Sequence, residues 1–189
     1  MCIRDSLRTE QLDAYLLHWP GPHPLTETIA AFEQLQAAGK IASWGVSNFD
    51  VPDLEKAVAI AGAARLACNQ VLYHLGERGI EHAVMPWCES QGVAVVAYSP
   101  FGSGRFPEPQ SPGGRVLEEI ARRHAATPRQ VVLRFLLRRP SVFAIPKTSR
   151  ADHAEENVGA GALQLSAEEM ARIDEGFPRG RRPRELPTL

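Results

Sequence analysis

The side chains able to do chemistry stand where apolar runs stop. Leu12-Asp13-Ala14-Tyr15-Leu16-Leu17 runs into His18-Trp19-Pro20. That places an imidazole able to move or orient a proton beside an indole, just before a proline that ends what reads as a buried parallel strand. Four further runs behave alike. Residues 41–46 lead to Ser47-Asn48, the run Leu66–Leu72 carries Gln70, residues 93–97 deliver Tyr98 and Ser99, and residues 142–145 lead through Pro146 to Lys147-Thr148-Ser149. Amide, hydroxyl and ammonium groups of this kind hold ligands by hydrogen bonds and charge, and a phenol ring can stack on a planar one. Gly102-Ser103-Gly104 follows soon after Tyr98, and its glycines let a backbone approach a ligand closely.

Helical patterns separate these runs. Thr26 is placed to cap a helix through Ala38, with Ile29, Phe32 and Leu35 on one face and Gly39 as its stop. Asp50 caps a second helix with Pro52 in its first turn, closed near Gly62, and a third runs over about 82–91 to Gly92. A glycine- and proline-rich loop, 100–114, precedes helices over 115–124 and 128–138, and another helix starts near Asp152. Ser166-Ala167-Glu168-Glu169 is a capping box opening a last helix, which Gly176 and Pro178 end.

This alternation, without hairpin signals, predicts a parallel sheet. Polar groups at the end of every strand favour a barrel over a doubly wound sheet, which gathers its ligand at one switch point. No G-x-G-x-x-G follows any strand. A (β/α)8 barrel takes ~250 residues, and 189 residues show about five units. The expected fold is therefore α/β, a partial (β/α)8 TIM barrel made of roughly its last five βα units. Residues 1–6 stand apart as an N-terminal segment, 7–176 form the barrel, and 177–189 are a tail with Arg179, Arg181, Arg182 and Arg184.

A formal net charge of −1 gives no electrostatic case for nucleic acid or an anionic membrane. No apolar stretch approaches the ~20 residues that span a bilayer, and Met1–Ser6 lacks the apolar stretch of a secretion signal. Cys2, Cys68 and Cys88 form no C-x-x-C pair and read as free thiols of a reducing, cytoplasmic compartment. His23, His74, His82 and His124 lack metal-ligand spacing, and His82 and His124 read as exposed helix residues.

Taken in order, five stretches resemble the aldo-keto reductase family. They are Leu16-Leu17-His18-Trp19-Pro20; Gly39-Lys40-Ile41 with Gly45-Val46-Ser47-Asn48-Phe49; Asn69-Gln70-Val71-Leu72-Tyr73-His74; Ala97-Tyr98-Ser99-Pro100-Phe101-Gly102-Ser103-Gly104; and Ile145-Pro146-Lys147-Thr148 with Glu156-Asn157. The resemblance runs from Leu7 to about Asp174 and implies an NAD(P)H-dependent carbonyl reductase. Such enzymes use an Asp, Tyr, Lys, His tetrad, of which His18 matches the histidine. The other three belong to earlier strands of the family, so no residue of this chain is assigned to them, and the chain reads as the later portion of a larger enzyme, inactive by itself.

The resemblance implies that His18 orients the substrate oxygen, on which hydride transfer builds negative charge. Trp19 forms a wall of the substrate pocket or simply packs under the next helix. Tyr98 stacks on the nicotinamide, while Ser47, Asn48 and Gln70 meet its carboxamide. Ser99, Gly102, Ser103, Lys147, Thr148 and Ser149 take the phosphates. His153 stands where many NADPH-preferring members carry arginine, with Arg150 as a substitute. Asn157 matches an adenine contact, with Glu156 beside it, and His74 falls near the substrate mouth. NADP(H) is favoured over NAD(H), and the partner is a small-molecule carbonyl. A non-catalytic nucleotide-binding or regulatory barrel is the alternative, and an isomerase-like barrel a third reading.

Overall fold

The computed structural model describes residues 8–62 and 64–189; the thiol of Cys2, the segment 1–6 and the expected start of the match at Leu7 lie outside them. The strands form a five-stranded sheet in the order β1 (Leu12–Leu17), β2 (Ile41–Ser47), β3 (Leu66–Leu72), β4 (Ala94–Tyr98), β5 (Val142–Ala144). Pairing is parallel where helices return the chain: Leu17 lies opposite Val46, and Ser47 opposite Gln70. The chain divides into two compact units, Met1–Val71 with Ala83–Val95 and Leu72–His82 with Val96–Leu189.

In the first unit, α1 (Leu25–Ala37) and α2 (Val51–Ala61) alternate with the strands, and α3 (Val84–Gln91) ends at left-handed Gly92. Trp44, Val46, Phe49, Leu54, Met85, Cys88 and Val95 are fully buried. The Trp44 indole donates to Glu33 at 2.7 Å, satisfying its one polar atom. Cys68 and Cys88 are free and buried, and burial pushes the Cys88 thiol up to about 12, so it stays protonated and inert.

Two expectations for this unit fail. Thr26 does not cap α1; the helix begins at Leu25 after Pro24, whose φ of −54° sets the entry, and no side chain caps it. Nor is β1 a buried strand. It is the sheet's edge, with Asp13, Ala14 and Tyr15 exposed and Leu16 and Leu17 half-buried.

The second unit holds α4 (Pro112–Arg123), α5 (Pro128–Leu136), α6 (Ala151–Gly159) and α7 (Ala167–Gly176). Reciprocal capping boxes open α5 (Thr127 with Gln130) and α7 (Ser166 with Glu169). Helix α4 starts three residues before the expected 115. Ser111 caps it, and positions 113 and 114 inside the helix need glycine because nothing larger fits: a Cβ on Gly113 would lie 2.4 Å from the Phe177 ring. Apolar packing joins Leu117 and Ile120 of α4 to Val131, Val132 and Phe135 of α5 in a buried core.

A buried ion network also braces this unit. Glu81 accepts from Arg78 Nε (2.8 Å) and Nη2 (2.8 Å), Arg138 Nη2 (2.8 Å) and the Tyr73 hydroxyl (2.6 Å). Arg78 also donates to Asp174 (2.6 Å) and the Phe177 carbonyl (2.5 Å). Burial alone would raise the Glu81 carboxyl; its donors reverse that and hold it at about 2. No helix among the described residues is long and apolar enough to cross a membrane.

Candidate functional site

Unit 1 gathers three of the expected residues at two strand ends. Ser47, buried at the tip of β2, donates its hydroxyl to the Gln70 carbonyl at 2.8 Å and accepts from Asn48 Nδ2 at 3.2 Å. Asn48 N–H reaches the same carbonyl at 2.9 Å, and its φ of 61° turns the chain out of the strand. The ring formed fixes the Ser47 and Asn48 side chains at the rim. Beneath it lies a clamp the sequence reading missed: buried Asn69 donates to the Phe49 carbonyl at 2.9 Å and accepts the Phe49 N–H at 3.4 Å. A polar residue beside Gln70 in an apolar strand was the signal for it.

His18 and Trp19 follow β1 with ring centroids 5.8 Å apart, both exposed. Trp19 is 44% exposed, so the reading that packs it under the next helix is wrong. The depression beside them, about 180 Å³, is lined by Leu17, Pro20, His23, Phe49, Asp53 and Lys56 and includes neither ring.

In unit 2, Tyr98 ends β4 half-buried, and burial raises its phenol despite a hydrogen bond from the Leu189 backbone. Ser99 and Ser103 sit at φ 51° and 50°, with their hydroxyls 3.0 Å apart. Serine in the left-handed region is uncommon, and such residues concentrate at working sites. Gly102 (φ 77°) donates to the Ser99 carbonyl at 2.8 Å, so the loop is a folded turn with defined backbone directions.

A groove of about 330 Å³ is lined by Lys147, Thr148, His153, Glu156 and Asn157 together with Phe101, Gly104, Phe106 and Arg129. Five expected residues from two stretches of chain thus meet around one cavity. Ser149 is exposed and does not line it, nor do Ser99, Gly102 and Ser103, although Phe101, Gly104 and Phe106 come from their loop. Glu156 is partly committed elsewhere: its carboxylate accepts from the Thr127 hydroxyl at 2.5 Å and its carbonyl from Gln130 at 2.9 Å. The Thr148 hydroxyl accepts the Arg150 N–H at 3.1 Å, which shapes the turn into α6.

Arg150, the expected substitute cation, is engaged in an exposed ion pair. Its guanidinium pairs with Asp152, through Nε at 3.0 Å and through Nη2, and it does not line the groove. Arg150 sits at the helix N-cap rather than inside the helix, where its guanidinium reaches the carboxylate of the first turn. The arginine that lines the groove, beside Lys147, is Arg129, which went unremarked in the sequence.

Two of the remaining histidines, His82 and His124, depart from expectation. His124 is not simply exposed: its Nε2 lies 2.9 Å from Glu169 Oε1. His82 is half-buried, and its Nε2 has no partner among the described groups. His74 accepts the Gly76 N–H at Nδ1 (3.1 Å), a turn-forming bond, and burial lowers its pKa. No cluster of three or more His, Cys, Asp or Glu among the described residues could hold a metal.

The five-stranded α/β sheet defines the fold class, and the Aldo/keto reductase family model matches residues 2–176, so the chain belongs to that family. It is 41% identical over 172 residues to methylglyoxal reductase YeaE of Escherichia coli, covering 91% of this chain and 61% of that protein. It is 35% identical to glyoxal reductase of Bacillus subtilis, covering 90% and 58%. An aldo-keto reductase of Klebsiella pneumoniae, solved in complex with NADPH, superposes with a TM-score of 0.90 at 39% identity, covering 98% of this chain and 66% of that one. The chain therefore spans about three fifths of the length of the curated relatives it matches.

Proposed function

We propose that the chain supplies the histidine and most of the cofactor-binding strand ends of an NADP(H)-dependent reductase of aldehydes or ketones, as the later five βα units of a (β/α)8 barrel over 7–176. The groove that gathers Lys147, Thr148, His153 and Asn157 carries this reading. It suits a phosphorylated adenosine: an ammonium and a hydroxyl for phosphate, an amide for the base, and a volume too small for a whole dinucleotide. The bound cofactor would supply hydride.

Each chain residue then has a defined task. Ser47 and Asn48, pinned through the Gln70 carbonyl, hold the nicotinamide carboxamide, and Gln70 offers its own amide from β3. Tyr98 presents its ring for stacking. Ser99, Gly102 and Ser103 would meet the phosphates from their turn, and Ser149 from the exposed segment after Lys147-Thr148. His18, neighboured by Trp19, donates a hydrogen bond to the carbonyl oxygen as negative charge grows there. Proton donation needs an acid, and no residue of the chain is assigned to it. The similarity to methylglyoxal and glyoxal reductases favours short dicarbonyl substrates. Buried free Cys68 and Cys88 fit a reducing cytoplasm.

A non-catalytic nucleotide-binding role is the second reading, favoured by the exposure of His18 at the sheet's edge. Titrating the purified chain with NADPH and NADH, by calorimetry, tests the common core of both. Saturable binding with preference for NADPH is expected; no binding of either at millimolar concentration would refute the reading.

A further inference from the structure

Arg129 occupies a position that helix physics disfavours. It is the second residue of α5, where the positive end of the macrodipole repels a cation. Among the described residues it is paired with no carboxylate. Its guanidinium instead lies 4.7 Å from the centroid of the Phe106 ring and 5.7 Å from that of Phe101. The two rings meet edge to face at 6.0 Å, and both belong to the turn that carries Gly102 and Ser103. All three side chains line the groove with Lys147 and His153.

A cation–π contact with a ring face uses the charge of a guanidinium and consumes none of its N–H groups, which stay available to an anion. We propose that Arg129 is a specificity-determining residue of the groove, binding the 2′-phosphate of the adenosine end while Phe106 and Phe101 hold it in place. The proposal rests on the reading of the groove as a cofactor site. One side chain then ties the phosphate to the Gly102–Ser103 turn, so ligand and loop are ordered together. Lysine cannot substitute fully, because it keeps the charge but loses the planar stack and the fork.

The test is equilibrium binding of the 189-residue chain and its variants to NADPH, NADH and adenosine 2′,5′-bisphosphate, with circular dichroism confirming folding. Arg129→Met is expected to weaken NADPH and the bisphosphate by about 10- to 100-fold, the scale of a lost charged hydrogen bond, and NADH by less than about threefold. Arg129→Lys should fall between wild type and Arg129→Met, and Phe106→Leu should weaken NADPH only while Arg129 is present. Arg129→Met binding NADPH as wild type does, or losing NADH and NADPH equally, overturns the assignment. A wild-type chain that binds none of the three overturns the cofactor reading itself, and the proposal with it.

Discussion

Replacing Glu81 by glutamine probes the buried network that braces the second unit. The side chains of Glu81 and Arg78 are 5% and 3% exposed, and Arg78's other carboxylate, Asp174, is half-exposed. Glutamine keeps the shape and one acceptor but leaves Arg78 buried without its main counter-charge, which costs about 3–5 kcal/mol. A second route gives a similar figure. A carboxyl held at about 2 rather than 4.5 contributes about 3 kcal/mol at neutral pH, at ~1.4 kcal/mol per pH unit. Because the folded-state value is depressed, this stability is complete above pH 4.5 and is lost as pH falls toward 2. Urea unfolding followed by far-ultraviolet circular dichroism, at steps from pH 7 to 2.5, should show a gap near 3 kcal/mol that closes on acidification. Other carboxylates titrate in both proteins and cancel. A gap under about 1 kcal/mol at pH 7, or one that does not change with pH, would refute this account of the network.

Gly45→Ala should lower stability by about 1–3 kcal/mol in the same assay, because the new Cβ would lie 2.6 Å from Cys68 Sγ and 2.7 Å from its carbonyl oxygen; an unchanged midpoint would show that β2 and β3 can part there. His18→Ala should leave NADPH affinity within about twofold of wild type, since its partner is the substrate; a large loss would move His18 into the cofactor site. The purified chain should oxidise NADPH with methylglyoxal at a rate lower than a complete enzyme's by about 10²–10⁴ or more; turnover typical of the family would show that an acid within the chain had been overlooked.

Much of the fold was legible because strand ends and helix caps announce themselves. The run Leu66–Leu72 forms β3 over the same residues, Asp50 and Pro52 open α2, and the Ser166–Glu169 box opens α7. Local signals also compete, and there the reading slipped. Thr26 lost to Pro24 because a preset φ can start a helix without a side-chain cap. Gly113 and Gly114 read as loop, yet close packing by Phe177 and the Glu108 carbonyl made glycine necessary within α4. Partners distant in the chain left no local trace. Arg78 reaches Phe177 across 99 residues and Asp174 across 96, and His124 finds Glu169 across 45. Arg129 drew no notice in the sequence, because the rings of Phe101 and Phe106 that mark it lie far from it in the chain.

The central claim, that the groove of unit 2 reads a phosphorylated adenosine, is tested most directly by the affinity of Lys147→Ala for NADPH and NADH. Lys147 lines the groove and is exposed, so its removal leaves the core untouched. NADPH binding should weaken by about 1–3 kcal/mol, the usual loss for a charged hydrogen bond, with much less effect on NADH. Equal losses for the two, or none for either, would contradict the account.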